Sequence, residues 1–262
     1  MKFKLVLCNL IICFFLFNCN ENVDRLITFD ENFEYSLEEF SDIEILRYDI
    51  PGWNNLTLKE QKLVYYLTQA GLSGRDIMWD QNYRHNLEIR TALQNVYFNY
   101  TGDKKSDDWM SFEVYLKRLW FSNGIHHHYS NDKIKPEFEL NYLTKILSST
   151  NTIISDDALD VIFNDLDSKK VNIAKGIDNV LLSAVNFYGP NVTSKDVYDF
   201  YSKVKSPDPL KPLSHGLNSR LVKENGIILE QVYKSGGLYG SAIDEIIKWL
   251  ELALDVAENK PQ

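Results

Sequence analysis

The strongest constraint on the fold is an apolar pattern with helical spacing, which recurs in short, separately capped segments between residues 57 and 201. Thr57 and Glu60 have the spacing of a capping box, and apolar side chains follow them at intervals of three and four residues. Short amphipathic helices are stable only when they bury their apolar faces against one another. The same pattern predicts further helices over residues 86–100 and 108–121, from Pro136 through Leu147, after Ser155, and after Thr193.

The pattern changes near residue 206. Three prolines predict an extended connector near residues 206–213. Beyond it, Asn225-Gly226 separates Arg220–Glu224 from Ile227–Tyr233, which is typical of a β-hairpin. A long amphipathic helix is predicted over residues 241–258. We therefore predict an α+β fold that is mainly helical, with a small, incomplete antiparallel β-barrel or sheet.

The N-terminus predicts a lipoprotein-type signal peptide over residues 1–18. A short basic start precedes an apolar run over residues 5–17, which suits a secretory signal and is short for a bilayer span. We expect acylation of Cys19, where the chain turns polar; an ordinary signal peptide cleaved nearby is the alternative. This predicts an exported, membrane-anchored lipoprotein of the periplasm or outer membrane of a Gram-negative bacterium, attached through the lipid alone.

The charge balance argues against nucleic acid as a partner. The chain has 28 Lys and Arg residues against 37 Asp and Glu residues, a net charge of −9. Sequence-independent binding to nucleic acid requires a basic surface instead. All three cysteines lie within the first 19 residues, so the expected mature chain contains no disulfide.

The search for catalytic motifs is mostly negative. The sequence has no H-E-x-x-H helix, no G-x-S-x-G elbow, no phosphate-binding glycine loop and no candidate catalytic cysteine. The one concentrated feature is Trp120–Tyr129, which contains the three consecutive histidines His126–His128. A metal there would need further ligands that nothing in the sequence supplies. We favour a polar loop lining a groove, and we predict no catalytic residue and no metal site in this chain.

Several sequence blocks nevertheless resemble the dipeptidyl peptidase III family, zinc metallopeptidases that release dipeptides from peptide N-termini. The resemblance is to the branch found in Bacteroidetes-type bacteria. The more specific blocks are Y-L-T-Q-A over Tyr66–Ala70 and S-N-G-I-H-H-H-Y over Ser122–Tyr129. Weaker blocks occur in the family's order at Gly74–Ile77, Asp80–Asn82, Tyr115–Arg118, Asn186–Pro190, Gly216–Ser219 and Gly236–Tyr239.

The resemblance implies that residues 19–262 correspond to the N-terminal lobe of a dipeptidyl peptidase III-like protein. In the family, this lobe surrounds a small β-barrel and faces the zinc lobe across the substrate cleft. The family's zinc motifs, H-E-x-x-G-H and E-E-x-x-A-E, lie further along the chain and do not occur in this sequence. The resemblance thus implies zinc for the full-length family, no cofactor in this chain, and no activity of this chain by itself.

The resemblance also implies a peptide-binding segment, because the family's counterpart of Ser122–Tyr129 borders the cleft. Asn123, His128 and Tyr129 are the implied substrate-binding residues. A peptide that extends a sheet edge is held mainly by backbone hydrogen bonds, which predicts broad specificity. One interpretation is a truncated or split peptidase whose partner is a separate catalytic half. The alternative is a periplasmic peptide- or partner-binding lipoprotein without catalysis, and a purely structural role for the loop also stays open.

Overall fold

A computed structural model describes residues 30–164, 170–204, 208, 210–211, 216 and 218–257. The predicted signal peptide, Cys19 and most of the proline-rich connector lie outside these residues. Within the described ranges, no helix combines the length and the apolar character needed to cross a bilayer.

The described residues form eight α-helices and four β-strands. In chain order they are β1 (Ser36–Phe40), β2 (Ile43–Leu46), α1 (Leu58–Ser73), α2 (Arg75–Asn82), α3 (Asn86–Asn99), α4 (Asp107–Ser122), α5 (Leu140–Ser149), α6 (Asp156–Phe163), α7 (Ser194–Tyr201), β3 (Ser219–Glu224), β4 (Ile227–Val232) and α8 (Gly240–Val256).

The predicted helices are confirmed, in several cases together with their caps. At the start of α1, the Thr57 hydroxyl accepts a hydrogen bond from the Glu60 backbone N–H at 3.3 Å, and the Glu60 carboxylate accepts from the Thr57 N–H at 2.6 Å. These two bonds satisfy donors that the first turn of a helix leaves open. One boundary was predicted wrongly: α5 begins at Leu140 and not at Pro136, because the preceding residue, Glu139, is extended.

The main core lies between α3, α4, α5 and α6. Trp109 of α4 is fully buried and stacks on Tyr100, with ring centroids 4.8 Å apart and planes 12° apart. Burying a large apolar side chain contributes about 1.5–3 kcal/mol, so this cluster dominates the stability of the fold. Its fully buried members include Ile89, Leu93, Val96, Phe112, Leu116, Leu119, Leu143, Ile146 and Ile162.

Helices α1 and α8 pack against each other as a separate pair. Ala70 of α1 and Ala253 of α8 are both buried, and Trp249 stacks on Tyr66 with ring centroids 6.0 Å apart. The pair covers only part of the predicted apolar stripe of α8. Leu250 and Leu254 remain 46% and 58% exposed.

The four strands form two separate antiparallel hairpins, β1–β2 and β3–β4. Asn225 and Gly226 have φ angles of 50° and 80°, as a two-residue hairpin turn requires, which confirms the prediction from Asn-Gly. The described residues form no closed barrel, so the fold is α+β with two small sheets rather than a helical shell around one barrel. The closest approach to a larger sheet is an isolated parallel bridge between Tyr188 and Leu221 of β3.

Candidate functional site

The segment singled out by sequence follows a sharp reversal of the chain at the end of α4. Asn123 adopts a left-handed conformation with φ of 52°, which asparagine tolerates better than most residues. Gly124 follows with φ of 147°, and its N–H donates to the carbonyl of Leu119 at 3.1 Å. This turn carries the next residues back along the molecule instead of extending the helix.

The buried side-chain amide of Asn86 holds this turn in place through hydrogen bonds to its backbone. Asn86, at the start of α3, is only 1% exposed. Its Nδ2 donates to the carbonyls of Trp79 at 3.1 Å and Asn123 at 3.4 Å. Its Oδ1 accepts a hydrogen bond from the backbone N–H of Ile125 at 3.1 Å. Sequence reasoning missed Asn86, because nothing near it in the chain indicates that two of its partners, Asn123 and Ile125, lie more than 30 residues away.

The three histidines do not converge on one point. His126 is buried, with its ring edge-on to Tyr83 and the centroids 5.0 Å apart. His127 is exposed, and its Nδ1 accepts the backbone N–H groups of Tyr129 and Ser130, both at 3.2 Å. This Nδ1 therefore stabilises a turn and is not available as a metal ligand.

No metal site is found in the part of the chain that the structure describes. None of its His, Cys, Asp and Glu side chains gather in a group of three or more able to hold an ion. A zinc site needs three or four such ligands. The described residues thus do not fit the zinc of the family that the sequence resembles.

His128 lies half-buried between aromatic rings. Its centroid is 5.0 Å from that of Phe121 and 4.2 Å from that of Tyr129. Burial, followed by the nearby positive groups of His127 and Lys170, lowers the pKa of His128 below its ordinary value. The neutral ring is therefore favoured near pH 7. Its Nδ1 is buried and has no hydrogen-bond partner among the described residues.

The β1–β2 hairpin is tied to α4 by ion pairs. Lys117 of α4 pairs with Glu38 of β1 and also with Glu113, at 2.7 Å. Partial burial works against the charge on Lys117, but these two carboxylates more than offset it and raise the Lys117 pKa. Arg118 pairs with Asp42 at the tip of the hairpin. The hairpin thus forms a wall beside the C-terminal half of α4.

The hairpin tip and residues 127–137 enclose a cavity of about 720 Å³, here called the loop cavity. His128, Tyr129 and Phe121 contribute aromatic rings to its lining, and Ile43 and Glu44 of β2 line it as well. Strand β2 pairs only with β1 among the described strands. Its second edge therefore has no strand partner in the described part of the fold.

Asn123 lines a different space, here called the base cavity, of about 710 Å³. Glu38 and Phe40 of β1 and Trp120 of α4 also line it, and Phe121 belongs to both cavities. The structure therefore brings His128 and Tyr129 together but separates Asn123 from them. The three sequence-predicted residues share one loop without sharing one cavity.

A second polar cluster joins residues from four distant parts of the sequence. The Asp80 carboxylate of α2 accepts hydrogen bonds from Asn186 Nδ2 at 3.0 Å and from the Tyr239 hydroxyl at 2.6 Å. Arg220 of β3 donates to Asn186 Oδ1 at 3.0 Å. Burial, then the hydrogen bond to Asp80, raises the Tyr239 pKa, so the phenol stays protonated as a donor. This cluster connects the β3–β4 hairpin to α2, and its hydrogen bonds give it a structural role.

Comparison with known proteins shows similarity to solved structures, but no similarity to a family model or to a curated protein. Among solved structures, the dipeptidyl peptidase III from Caldithrix abyssi is similar, with 16% sequence identity and a TM-score of 0.46. The similarity covers 81% of this chain and 29% of that chain. The chain thus spans less than a third of that protein's length, and the activity of the whole enzyme is only a proposal for this chain.

Proposed function

We propose that this chain is a peptide-binding protein without peptidase activity of its own, similar to the non-zinc lobe of dipeptidyl peptidase III. The loop cavity carries the proposal, because its lining combines Ile43 and Glu44 of β2, a strand with one edge unpaired among the described strands, with the aromatic side chains of His128 and Tyr129. Ser122, His127, His128 and Tyr129 of the S-N-G-I-H-H-H-Y block, on which the family resemblance rests in part, also line that cavity.

The edge of β2 offers the backbone groups that an extended peptide needs. A four-residue strand presents about 13 Å of N–H and C=O groups, at about 3.3 Å per residue. The cavity volume of about 720 Å³ falls within the range of small-ligand sites. Phe121 and Tyr129 line the same cavity and offer aromatic rings to the side chains of a bound peptide. The binding mode is extension of the sheet, with contacts to every second side chain.

The charge of the cavity does not favour one class of peptide. Its lining contains four carboxylates and three cationic side chains, and Arg118 already pairs with Asp42. Because neither sign dominates, side-chain charge gives little selection among peptides. Backbone hydrogen bonds are then the main source of affinity, and we propose broad specificity.

The absence of the family's two zinc motifs from the sequence supports the non-catalytic part of the proposal. A zinc peptidase needs three protein ligands, an open coordination position and a general base beside it. We propose that the purified chain leaves dipeptidyl arylamides intact. Turnover that is abolished by a chelator would overturn this part of the proposal.

Fluorescence anisotropy with labelled, uncharged hexapeptides tests the binding. Tyr129→Ala removes an exposed ring from the loop cavity and should weaken binding about tenfold, as for an aromatic contact of 1–2 kcal/mol. Tyr198→Ala is the matched control, because Tyr198 is a comparably exposed tyrosine on α7 that is not part of the cavity. Methylating alternate backbone nitrogens of the peptide should also abolish binding. The proposal fails if no peptide binds, or if both tyrosine variants behave alike.

A second candidate function is that of one component of a split peptidase, which binds a separate catalytic polypeptide. The exposed apolar surface of the α1–α8 pair favours it, since Leu67, Leu250 and Leu254 are 46–58% exposed. Co-expression with a polypeptide that carries the H-E-x-x-G-H motif tests this function. A stable complex with chelator-sensitive activity would support it, and failure to co-purify would exclude that partner.

For its location, we propose export and anchoring through a lipid on Cys19. The apolar run ending just before Cys19 supports this proposal. In a bacterial host, Cys19→Ala should release the protein from the membrane fraction, while Cys13→Ala should leave it there. Unchanged membrane association of the Cys19 variant would contradict the proposal.

A further inference from the structure

A third cavity, of about 440 Å³, lies between α2, α3 and α4, and has no part in the peptide-binding proposal. Arg75 and Trp79 line it from α2, Arg90 and Gln94 from α3, and Trp120 from α4. We call it the arginine cavity. The two lining residues of α2 are four positions apart, and so are the two of α3, which places each pair on one face of its helix. Helices α2 and α3 therefore each contribute one arginine to the cavity.

The two arginines differ in how they are held. Arg90 lies over the Trp79 ring, with Cζ 5.1 Å from the ring centroid, and pairs with Asp76 at 2.7 Å. Arg75 is exposed and makes no hydrogen bond or ion pair with the described residues. Among the described residues, the lining of the cavity contains these two guanidinium groups and no carboxylate, and only Arg90 is in an ion pair, so the cavity lining carries a net positive charge.

The walls also contain buried donors without acceptors. The Nε1 atoms of Trp79 and Trp120 and the Nε of Arg90 are all buried, and none has a hydrogen-bond partner in the described part of the protein. Indole and guanidinium nitrogens can only donate. Buried polar groups in folded proteins are nearly always paired, so three unpaired donors around one cavity indicate a missing acceptor.

A purely structural role explains only part of this arrangement. Packing of Arg90 on Trp79 is a common cation–π contact and accounts for the position of that side chain. It does not satisfy the two indole N–H groups, nor does it explain why Arg75 borders the same space. The cavity volume of about 440 Å³ is also much larger than the roughly 30 Å³ that one water molecule occupies.

We propose that the arginine cavity binds an oxyanion, namely the carboxylate or phosphate group of a small ligand. Arg75 provides a free planar guanidinium, the geometry that binds carboxylate and phosphate oxygens in pairs. Arg90 provides a second positive charge, and small side-chain movements bring the indole N–H groups onto the bound oxygens. Every unpaired donor in the wall then has an acceptor.

The position of the cavity indicates how the rest of the ligand lies. Arg75 and Trp120 also line the base cavity, which contains Asn123. A ligand whose anionic end is held by Arg75 can therefore extend past the Trp120 ring toward Asn123. The oxyanion is the end group of the ligand, and the remainder of the ligand occupies the base cavity.

Tryptophan fluorescence of the purified protein tests the proposal, because Trp79 and Trp120 both line the cavity. Sodium phosphate and N-acetylglycine are titrated separately, at an ionic strength held constant with sodium chloride. We expect a saturable change in emission with at least one of them. Arg75→Gln should weaken that binding about tenfold, as expected for loss of a charge-assisted hydrogen bond.

Two controls separate binding from general charge effects. Arg84→Gln removes another exposed arginine that lines none of the three cavities, and should leave the titration unchanged. N-acetylglycinamide, which lacks the carboxylate, should not bind. Tighter binding of phosphate identifies a phosphate-bearing ligand, and tighter binding of N-acetylglycine identifies a carboxylate. A titration that is not saturable, or that is the same in Arg75→Gln and the unaltered protein, would overturn the proposal.

Discussion

Gly124 lies directly against the side-chain amide of Asn86, and a Cβ at Gly124 would come within 2.1 Å of Asn86 Nδ2. The φ of Gly124 is +147°, a conformation that side chains other than glycine's rarely adopt. The same amide accepts the N–H of Ile125 and donates to the carbonyl of Asn123. This contact therefore determines where the segment carrying His128 and Tyr129 leaves the helical core.

Gly124→Ala should destabilise the protein by about 2–5 kcal/mol, the sum of backbone strain and overpacking against Asn86. The midpoint and slope of urea unfolding measure the loss. Gly226→Ala is the matched control, because Gly226 has φ of +80° but no atom within 4 Å of a built Cβ. It should show the strain alone, about 1–2 kcal/mol. If the two variants lose the same free energy of unfolding, the contact with Asn86 does not contribute to stability.

Asn86→Ala should cost about 2–4 kcal/mol, because it leaves the buried N–H of Ile125 and the carbonyl of Trp79 without partners. Peptide binding at the loop cavity should weaken as well, since the loop loses its attachment. Asn99→Ala changes an asparagine on the same helix that bonds only to Asn95, one turn away. This control should change the free energy of unfolding by less than about 0.5 kcal/mol. Comparable effects on folding and binding in both variants would contradict the role of Asn86.

Elements built from local contacts could be predicted from the sequence. The capping box at Thr57 and the turn at Asn225-Gly226 involve residues at most three positions apart, so their composition reveals them. Helix α2 could not be predicted in this way. It follows α1 after Gly74 alone, and Trp79 is its only buried residue, so it shows no apolar stripe.

Hairpin β1–β2 and the cavities depend on contacts between distant residues. Glu38 of β1 forms an ion pair with Lys117 of α4, which is 79 positions away in the sequence, and no local sequence pattern indicates that pairing. The arginine cavity likewise needs α2 and α3 to lie face to face, with Arg75 and Arg90 on the facing sides. The sequence was sufficient to predict that Asn123 and His128 lie in one loop. It was not sufficient to predict the chain reversal at Asn123 and Gly124, after which these two residues line different cavities.

The stability contributed by His128 should fall as the pH falls below about 6.5, the ordinary pKa of histidine. Burial and the neighbouring positive groups lower the folded-state pKa of His128. The unfolded chain therefore binds the proton more readily, and protonation favours unfolding. The unfolding free energy of His128→Gln should show a weaker decline than that of the unaltered protein between about pH 7 and pH 5. Ring titration by NMR measures the pKa directly, and a value at or above 6.5 would contradict this prediction.

Asp196 should make the stability of the protein sensitive to acid at a lower pH than His128 does. Hydrogen bonds from the Thr193 hydroxyl and backbone N–H, then the ion pair with Lys223, lower the Asp196 pKa to about 2. Because the folded pKa is depressed, the contribution is complete above about pH 4 and is lost as the pH falls toward 2. Acid unfolding of Asp196→Asn should lack this component, whereas Asp199→Asn, on the same helix, should retain it. Thr193→Ala should cost about 1 kcal/mol at pH 7 through loss of the helix cap.

The outer face of α8 should promote association rather than support the fold. Leu250 and Leu254 lie one turn apart and are 46% and 58% exposed, whereas Ala253 beside them is 3% exposed in the contact with α1. Replacing both leucines with glutamate removes apolar surface from water without opening the core, so the free energy of unfolding should change by less than about 1 kcal/mol. Concentration-dependent light scattering and hydrophobic-dye fluorescence should both decrease. Ala253→Glu buries a charge between the helices and should instead cost more than about 3 kcal/mol. If the double leucine variant unfolds as readily as Ala253→Glu, these leucines stabilise the chain itself and the surface is not free to bind a partner.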